Sequence, residues 1–308
     1  MSDSLTGAFK GKCIIDDDMG YHGLGVAQGG MVDTPDGDWY AFMFQDRGAL
    51  GRAPVLMPMH FEDGFPIIGG NGKVPEVVTV LDTGYQYAAI NGSDDFFYKP
   101  DENGQITLKN FWEFNHQQMD DFWSVTENPG HLRLHSAKLS PTLFQAYNTL
   151  TQRTVGPKCA AEVTLRFAHM KNGDVAGIST FIGNYGFIGV KKEKDQYYLI
   201  MMGRPAKDTS VFGQFEYENP GLEYARVPIY GESICLRAEA DFTDKRDLSS
   251  FYYKEGDNWQ KLEIDQPMYF KMDLFTGCRF GLFYYSTEQT GGYVDFSKFQ
   301  FIWPEYVY

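Results

Sequence analysis

The 308 residues carry 27 Lys and Arg against 41 Asp and Glu, and the formal charge of −14 argues against nucleic acid or an anionic membrane surface as partner, since both would be repelled. A hydrophobic fraction of 43% can fill two cores, and 16% aromatic residues with 33 Gly point to an all-β chain rather than a helical one. No apolar run is long enough to span a bilayer, and Met1–Leu5 has neither a basic n-region nor an apolar h-region, so the expected location is the cytoplasm.

In chain order, Cys13-Ile-Ile15 is a predicted strand, and Asp16-Asp17-Asp18-Met-Gly20 turns out of it. Calcium loops need alternating ligands so that several oxygens face inward; three consecutive Asp read instead as a solvated turn. Tyr21-His22-Gly-Leu-Gly25 is a Gly-rich approach to the next strand, with His22 a candidate for facing a ligand. Met31-Val32 precede Thr34-Pro35-Asp36-Gly37, whose Pro and Gly supply the restricted and the positive φ of a tight turn. Trp39–Phe44 and Pro54–Phe61 are then two aromatic, apolar strands, the second closing on Glu62-Asp63-Gly64. Short antiparallel strands with Gly-rich turns are the pattern of one β-propeller blade.

Gly69–Pro75 marks the exit from that blade, and residues 76–111 are turn-rich. Segments 110–116, 120–125, 129–135 and 148–153 lead into a longer alternating region. There, 160–167, 177–182, 185–190, 197–202, 233–240, 249–253, 279–285 and 293–301 are predicted strands of a half-buried antiparallel sandwich. Cys13, Cys159, Cys235 and Cys278 form no CxxC pair and read as buried free thiols acting as small hydrophobes.

The blade stretch resembles the last propeller blade of glycoside hydrolase family 43, the β-xylosidases and α-L-arabinofuranosidases. A family pattern of the type Gly-His-x-x-Val-x-Thr-x-x-Gly-x-Trp-Tyr reads here Ala27-Gln28-Gly-Gly-Met-Val32-Asp-Thr34-Pro-Asp-Gly37-Asp-Trp39-Tyr40. It is followed by Leu50-Gly51-Arg52 and by Glu62-Asp-Gly-Phe-Pro66, matching Leu-Gly-Arg and a turn of the type Asp-Asp-Gly-Trp-Pro. The chain departs from the pattern at Gln28, where many members have His. Ser2–Phe9 resembles a segment midway through the family's propeller, and the region beyond residue 110 resembles the concanavalin-A-like sandwich that follows it.

The resemblance implies an all-β fold in two parts: the last blade of a five-bladed propeller, completed by another chain, and an antiparallel jelly-roll sandwich. The expected boundaries are 1–70 for the blade, 71–110 for a linker and loop-rich lead-in, and 111–308 for the sandwich. It implies a glycosidase that removes xylose, arabinose or both from xylo-oligosaccharides or arabinoxylan by inversion. The catalytic Asp and Glu residues of that mechanism lie on earlier blades, so no carboxylate here is nominated and the chain alone is expected to be inactive. A second polypeptide carrying the N-terminal blades is the expected partner, alongside a pentose-containing oligosaccharide. If the two chains arise from a cleaved precursor, a leader could sit on the other one and the location would be extracellular. The competing function is a non-catalytic carbohydrate-binding sandwich with a vestigial blade.

Arg52 matches the family arginine that reaches the innermost sugar; its guanidinium fork can donate two parallel bonds and stays charged. Gln28, in place of the family His, is open to two readings, a hard-cation ligand through its carbonyl oxygen or a hydrogen-bonded core polar group. Phe275, in Leu274-Phe-Thr-Gly277, is a candidate aromatic wall of the sugar site or an ordinary core residue. Asp295 and Glu162 are candidate ligands of a structural calcium or solvated strand carboxylates. Ca²⁺ is the only cofactor the resemblance suggests, and no organic cofactor is expected.

Overall fold

The computed structural model describes residues 2–80, 82–205, 212, 217–272, 274 and 276–303. Its regular structure is β-strand with four short 3-10 turns, and no α-helix occurs among the described residues. The chain divides into two compact units, Met1–Tyr87 and Ala88–Tyr308.

The first unit is a four-stranded antiparallel meander: β1 (Val26–Asp33), β2 (Trp39–Asp46), β3 (Arg52–Glu62) and β4 (Phe65–Ile68), adjacent in that order. The β1–β2 turn closes through Gly37 N–H to Thr34 O at 2.9 Å, with Gly37 at φ 92° as the turn requires. Alternation sorts the side chains. One face buries Val26, Ala41, Met57, Met59 and Ile68 against Ile14, Ile15 and Val74. Cys13–Ile15, expected as a strand, is not one; it is an irregular segment whose two isoleucines cover this face, while Cys13, expected to be buried, is exposed and Cys235 only partly buried.

The opposite face is a different surface. Its cross-strand pairs Val32–Tyr40–Pro58, Gly30–Phe42–Leu56 and Ala27–Phe44–Pro54 are apolar, yet Phe42 is 54% and Val32 52% exposed. A sheet with two apolar faces and one cover has a face left for something else to bury.

The second unit is a β-sandwich. Its strands are β5 (Glu113–Phe114), β6 (Trp123–Ser124), β7 (Leu132–His135), β8 (Leu150–Arg153), β9 (Lys158–Arg166), β10 (Asp174–Phe181) and β11 (Gly186–Glu193). They continue through β12 (Gln196–Gly203), β13 (Leu222–Ile229), β14 (Ser233–Asp241), β15 (Leu248–Glu255), β16 (Asn258–Lys261), β17 (Gln266–Pro267), β18 (Arg279–Ser286) and β19 (Tyr293–Ile302). One sheet runs β13-β12-β11-β10-β18-β8-β5; the other runs β16-β15-β14-β9-β19-β7-β6, with β17 beside β15.

Between the sheets, Leu165, Leu236, Ala238, Phe251 and Phe296 of the second meet Ile178, Ile188, Phe280 and Leu282 of the first, all fully buried. The seven-stranded sheet also buries its other face, where Phe181, Phe187, Ile200, Phe283 and Tyr285 pack under Leu143 and Phe144 of a 3-10 turn. Every residue of β10 is therefore buried, a central strand covered on both sides.

The lead-in to the sandwich is held by a buried carboxylate. Asp94 pairs with Phe299 of β19 through two backbone bonds of 2.9 Å. Its side chain accepts from Trp112 Nε1 at 2.8 Å, Phe96 N at 2.9 Å, Lys109 Nζ at 3.1 Å and the Tyr98 hydroxyl.

Candidate functional site

Antiparallel pairing puts the start of β1, the end of β2 and the start of β3 at one end of the first sheet. Arg52 opens β3 directly opposite Asp46, the last residue of β2. Its Nε donates to Asp46 Oδ1 at 3.1 Å, and its guanidinium lies 4.1 Å over the centre of the Phe44 ring. The intervening five residues close through Arg47 N–H to Gly51 O at 2.8 Å. Arg52 is thus aimed by an aromatic floor and an acidic side wall rather than left to wander.

The loop before β1 is fastened to the same end. Gln45 is fully buried, and its amide nitrogen donates to Asp18 O at 2.7 Å and Leu24 O at 2.6 Å. The Asp run is not a metal loop. Asp18 accepts from Gly20 and Gly23 N–H, and Asp17 from Met19 and Val74 N–H. The Val74 and Gly23 amides lead in holding these two carboxyls below the ordinary Asp range. Tyr21, in this loop, lies under the Arg47 guanidinium at 4.2 Å and meets His22 edge-on at 5.0 Å. His22 itself is exposed with φ 54°.

Gln28 sits at a β-bulge. The β1–β2 register skips it, Ala27 facing Phe44 and Gly29 facing Met43, and Gln28 takes φ 52° with its side chain exposed. The bulge needs Gly29, where an added Cβ would lie 2.1 Å from Phe42 O. Arg52, Gln28 and His22 are therefore brought to one end of the sheet, and within this chain Gln28 is exposed. Phe275 lies outside the described residues.

Asp295 and Glu162 are in the sandwich, apart from each other, on β19 and β9. Asp295 accepts from two of the three Arg133 nitrogens, Nε at 2.7 Å and Nη2 at 2.9 Å, and from the Asn128 amide at 2.9 Å. Burial alone would raise its pKa, but the Arg133 guanidinium and Asn128 amide outweigh it and hold the carboxyl below the ordinary range. Glu162 accepts from Arg237 Nη1 at 3.0 Å. Carboxylates committed to guanidinium groups do not fit a calcium, and no group of three His, Cys, Asp or Glu suited to a metal occurs among the described residues.

Residues 101–302 match the model of the β-xylosidase C-terminal concanavalin A-like domain. The chain belongs to glycoside hydrolase family 43. Its similarity to family 43 proteins extends through the first unit. A β-xylosidase of Formosa agariphila is 24% identical over 97% of this chain and 51% of its own length. The bifunctional GH43-CE protein of Bacteroides eggerthii is 37% identical, with TM-score 0.81 over 98% of this chain and 36% of that one. A GH43 enzyme engineered to display both endo-xylanase and exo-arabinofuranosidase activity is 28% identical, with TM-score 0.78 over 91% of this chain and 55% of that one. The chain spans about half the length of the curated β-xylosidase it matches.

Within this family 43 chain, sequence reading singled out Arg52 but missed what holds it. The signal was present: Asp46 and Phe44 stand as far before the Arg47–Gly51 turn as Arg52 and Pro54 stand after it. Gln45 had no such signal, because its partners are backbone carbonyls of a loop.

Proposed function

We propose that the chain contributes the last propeller blade and the sandwich of a pentosidase that removes terminal xylose or arabinose from xylo-oligosaccharides or arabinoxylan. The carrying observation is Arg52, oriented by Asp46 and Phe44 at one end of a sheet whose neighbouring apolar face is exposed. The named activities of the related proteins point the same way.

In this reading Arg52 donates from its guanidinium fork to hydroxyls of the terminal sugar. Gln28 offers an amide to the same sugar, and His22 with Tyr21 walls the outer side. An inverting hydrolysis needs a carboxylic acid to protonate the leaving oxygen and a carboxylate to activate water, about 6.5–9.5 Å apart. Both are assigned to blades outside residues 1–308, carried by a second polypeptide. This chain binds and orients; the other supplies the proton transfers.

Those blades would cover Phe42, Leu56 and Val32 in an obligate, apolar interface of more than about 2,000 Å². Co-purification followed by denaturing mass spectrometry tests it: a second polypeptide in stoichiometric amount is expected. A monodisperse monomer of this chain alone, with amides protected throughout residues 25–65, would overturn it.

A further inference from the structure

The outer face of the eight-stranded sheet carries a lattice of paired charges. Arg237 on β14 bridges Glu162 at 3.0 Å and Glu239 at 2.6 Å. Lys158 and Arg246 share Asp241 at 2.9 and 3.2 Å, and Lys261 pairs with Asp265 at 2.8 Å. Four cations thus neutralise four carboxylates, on a chain whose overall charge is −14. Partly exposed ion pairs add little to folding. They do fix many hydrogen-bonding groups in one plane.

Two aromatic rings share this face. Tyr252 donates its hydroxyl to Glu239 at 3.0 Å, and Arg237 lies 5.7 Å from the Tyr252 ring and 5.9 Å from the Trp259 ring. Both rings are half-buried. A concavity of about 190 Å³ opens among the paired charges, lined by Lys158, Arg237, Glu239, Asp241 and Ser250. It is large enough for one sugar ring and small for a drug-sized ligand.

Register extends the site. Gln300, Glu162, Arg237, Tyr252 and Lys261 stand opposite one another on five adjacent strands. Strand spacing of about 4.8 Å makes this a row of about 19 Å. That step is close to the length of one β-1,4-linked pyranose, so successive side chains would meet successive sugars. A surface of paired, fixed donors and acceptors with aromatic rings beside them suits a polyhydroxyl ligand.

We propose that this face binds one extended segment of a neutral β-1,4-linked polysaccharide, across β19, β9, β14, β15 and β16, as a site separate from Arg52. The binding does not depend on hydrolysis, so its failure and the failure of the proposed activity are distinguishable.

Native electrophoresis of the full chain, with its partner if one co-purifies, tests the idea in gels containing soluble xylan, hydroxyethyl cellulose or dextran. Retardation by xylan and not by α-linked dextran is expected. Trp259→Ala should weaken it about tenfold. Retardation by hydroxyethyl cellulose as well would assign the site to the β-1,4 backbone in general; by xylan alone, to pentose chains. Hydrogen exchange on the unaltered protein needs no variant: xylohexaose should protect amides in β14–β16. Equal migration in all gels, equal retardation by dextran, or full retardation of a folded Trp259→Ala variant, would overturn the site.

Discussion

Replacing Arg52 by Ala separates a binding role from a structural one. The Arg52–Asp46 pair is solvent-accessible, its side chains 33% and 49% exposed, so it contributes at most about 1 kcal/mol to folding. The stack on Phe44 at 4.1 Å adds about 0.5–1 kcal/mol. The first unit should therefore melt only slightly lower. A charged, bidentate contact to a sugar that tightens in the transition state is worth about 2–4 kcal/mol, or about 30- to 1,000-fold in kcat/KM. Arg52→Lys keeps the charge and loses the fork, and should fall between the two. Asp46→Asn removes only the side wall and should cost less than Arg52→Ala. The assay is hydrolysis of an aryl β-xyloside and an aryl α-arabinofuranoside by the complete enzyme, with a thermal melt of each variant. A folded Arg52→Ala variant with unchanged kcat/KM refutes the assignment.

Three further perturbations bear on the scaffold. Asp94→Ala strips the acceptor from Trp112, Phe96 and Tyr98 in the buried lead-in and should cost about 3–5 kcal/mol in urea unfolding. Gly29→Ala places a Cβ 2.1 Å from Phe42 O, and the blade should lose about 1–3 kcal/mol together with activity, since the bulge that presents Gln28 must shift. Asp295 has its folded pKa below the unfolded one, so its stabilisation is present above about pH 4 and is lost as pH falls through the folded value. Asp295→Asn should be less stable than the native protein at neutral pH, and the gap should close in melts taken below about pH 4.

Strands with clean alternation were legible in the sequence: Tyr293–Phe301 and Arg279–Tyr285 fall within β19 and β18 as observed. The edge strand β13, Leu222–Ile229, was not read, because Pro228 and mixed charge break the pattern that an interior strand keeps; an edge tolerates both. β1 begins at Val26 rather than near Met31, since a bulge at Gln28 hides the period of two. Ile14 and Ile15 have strand composition but serve as a lid on the blade, a tertiary choice that local pattern cannot express. Arg52 was singled out through the motif around it, whereas the guanidinium partners of Glu162 and Asp295 depend on register across sequence-distant strands.

The central claim is that this chain holds and orients a pentose while another polypeptide performs the chemistry. Its most direct measurement is pentose release from an aryl β-xyloside by purified residues 1–308, alone and after addition of the co-purifying polypeptide, with the product anomer followed by NMR. The account predicts no release by the chain alone and inverted product on reconstitution. Turnover by the isolated chain at the rate of the complete assembly would contradict it.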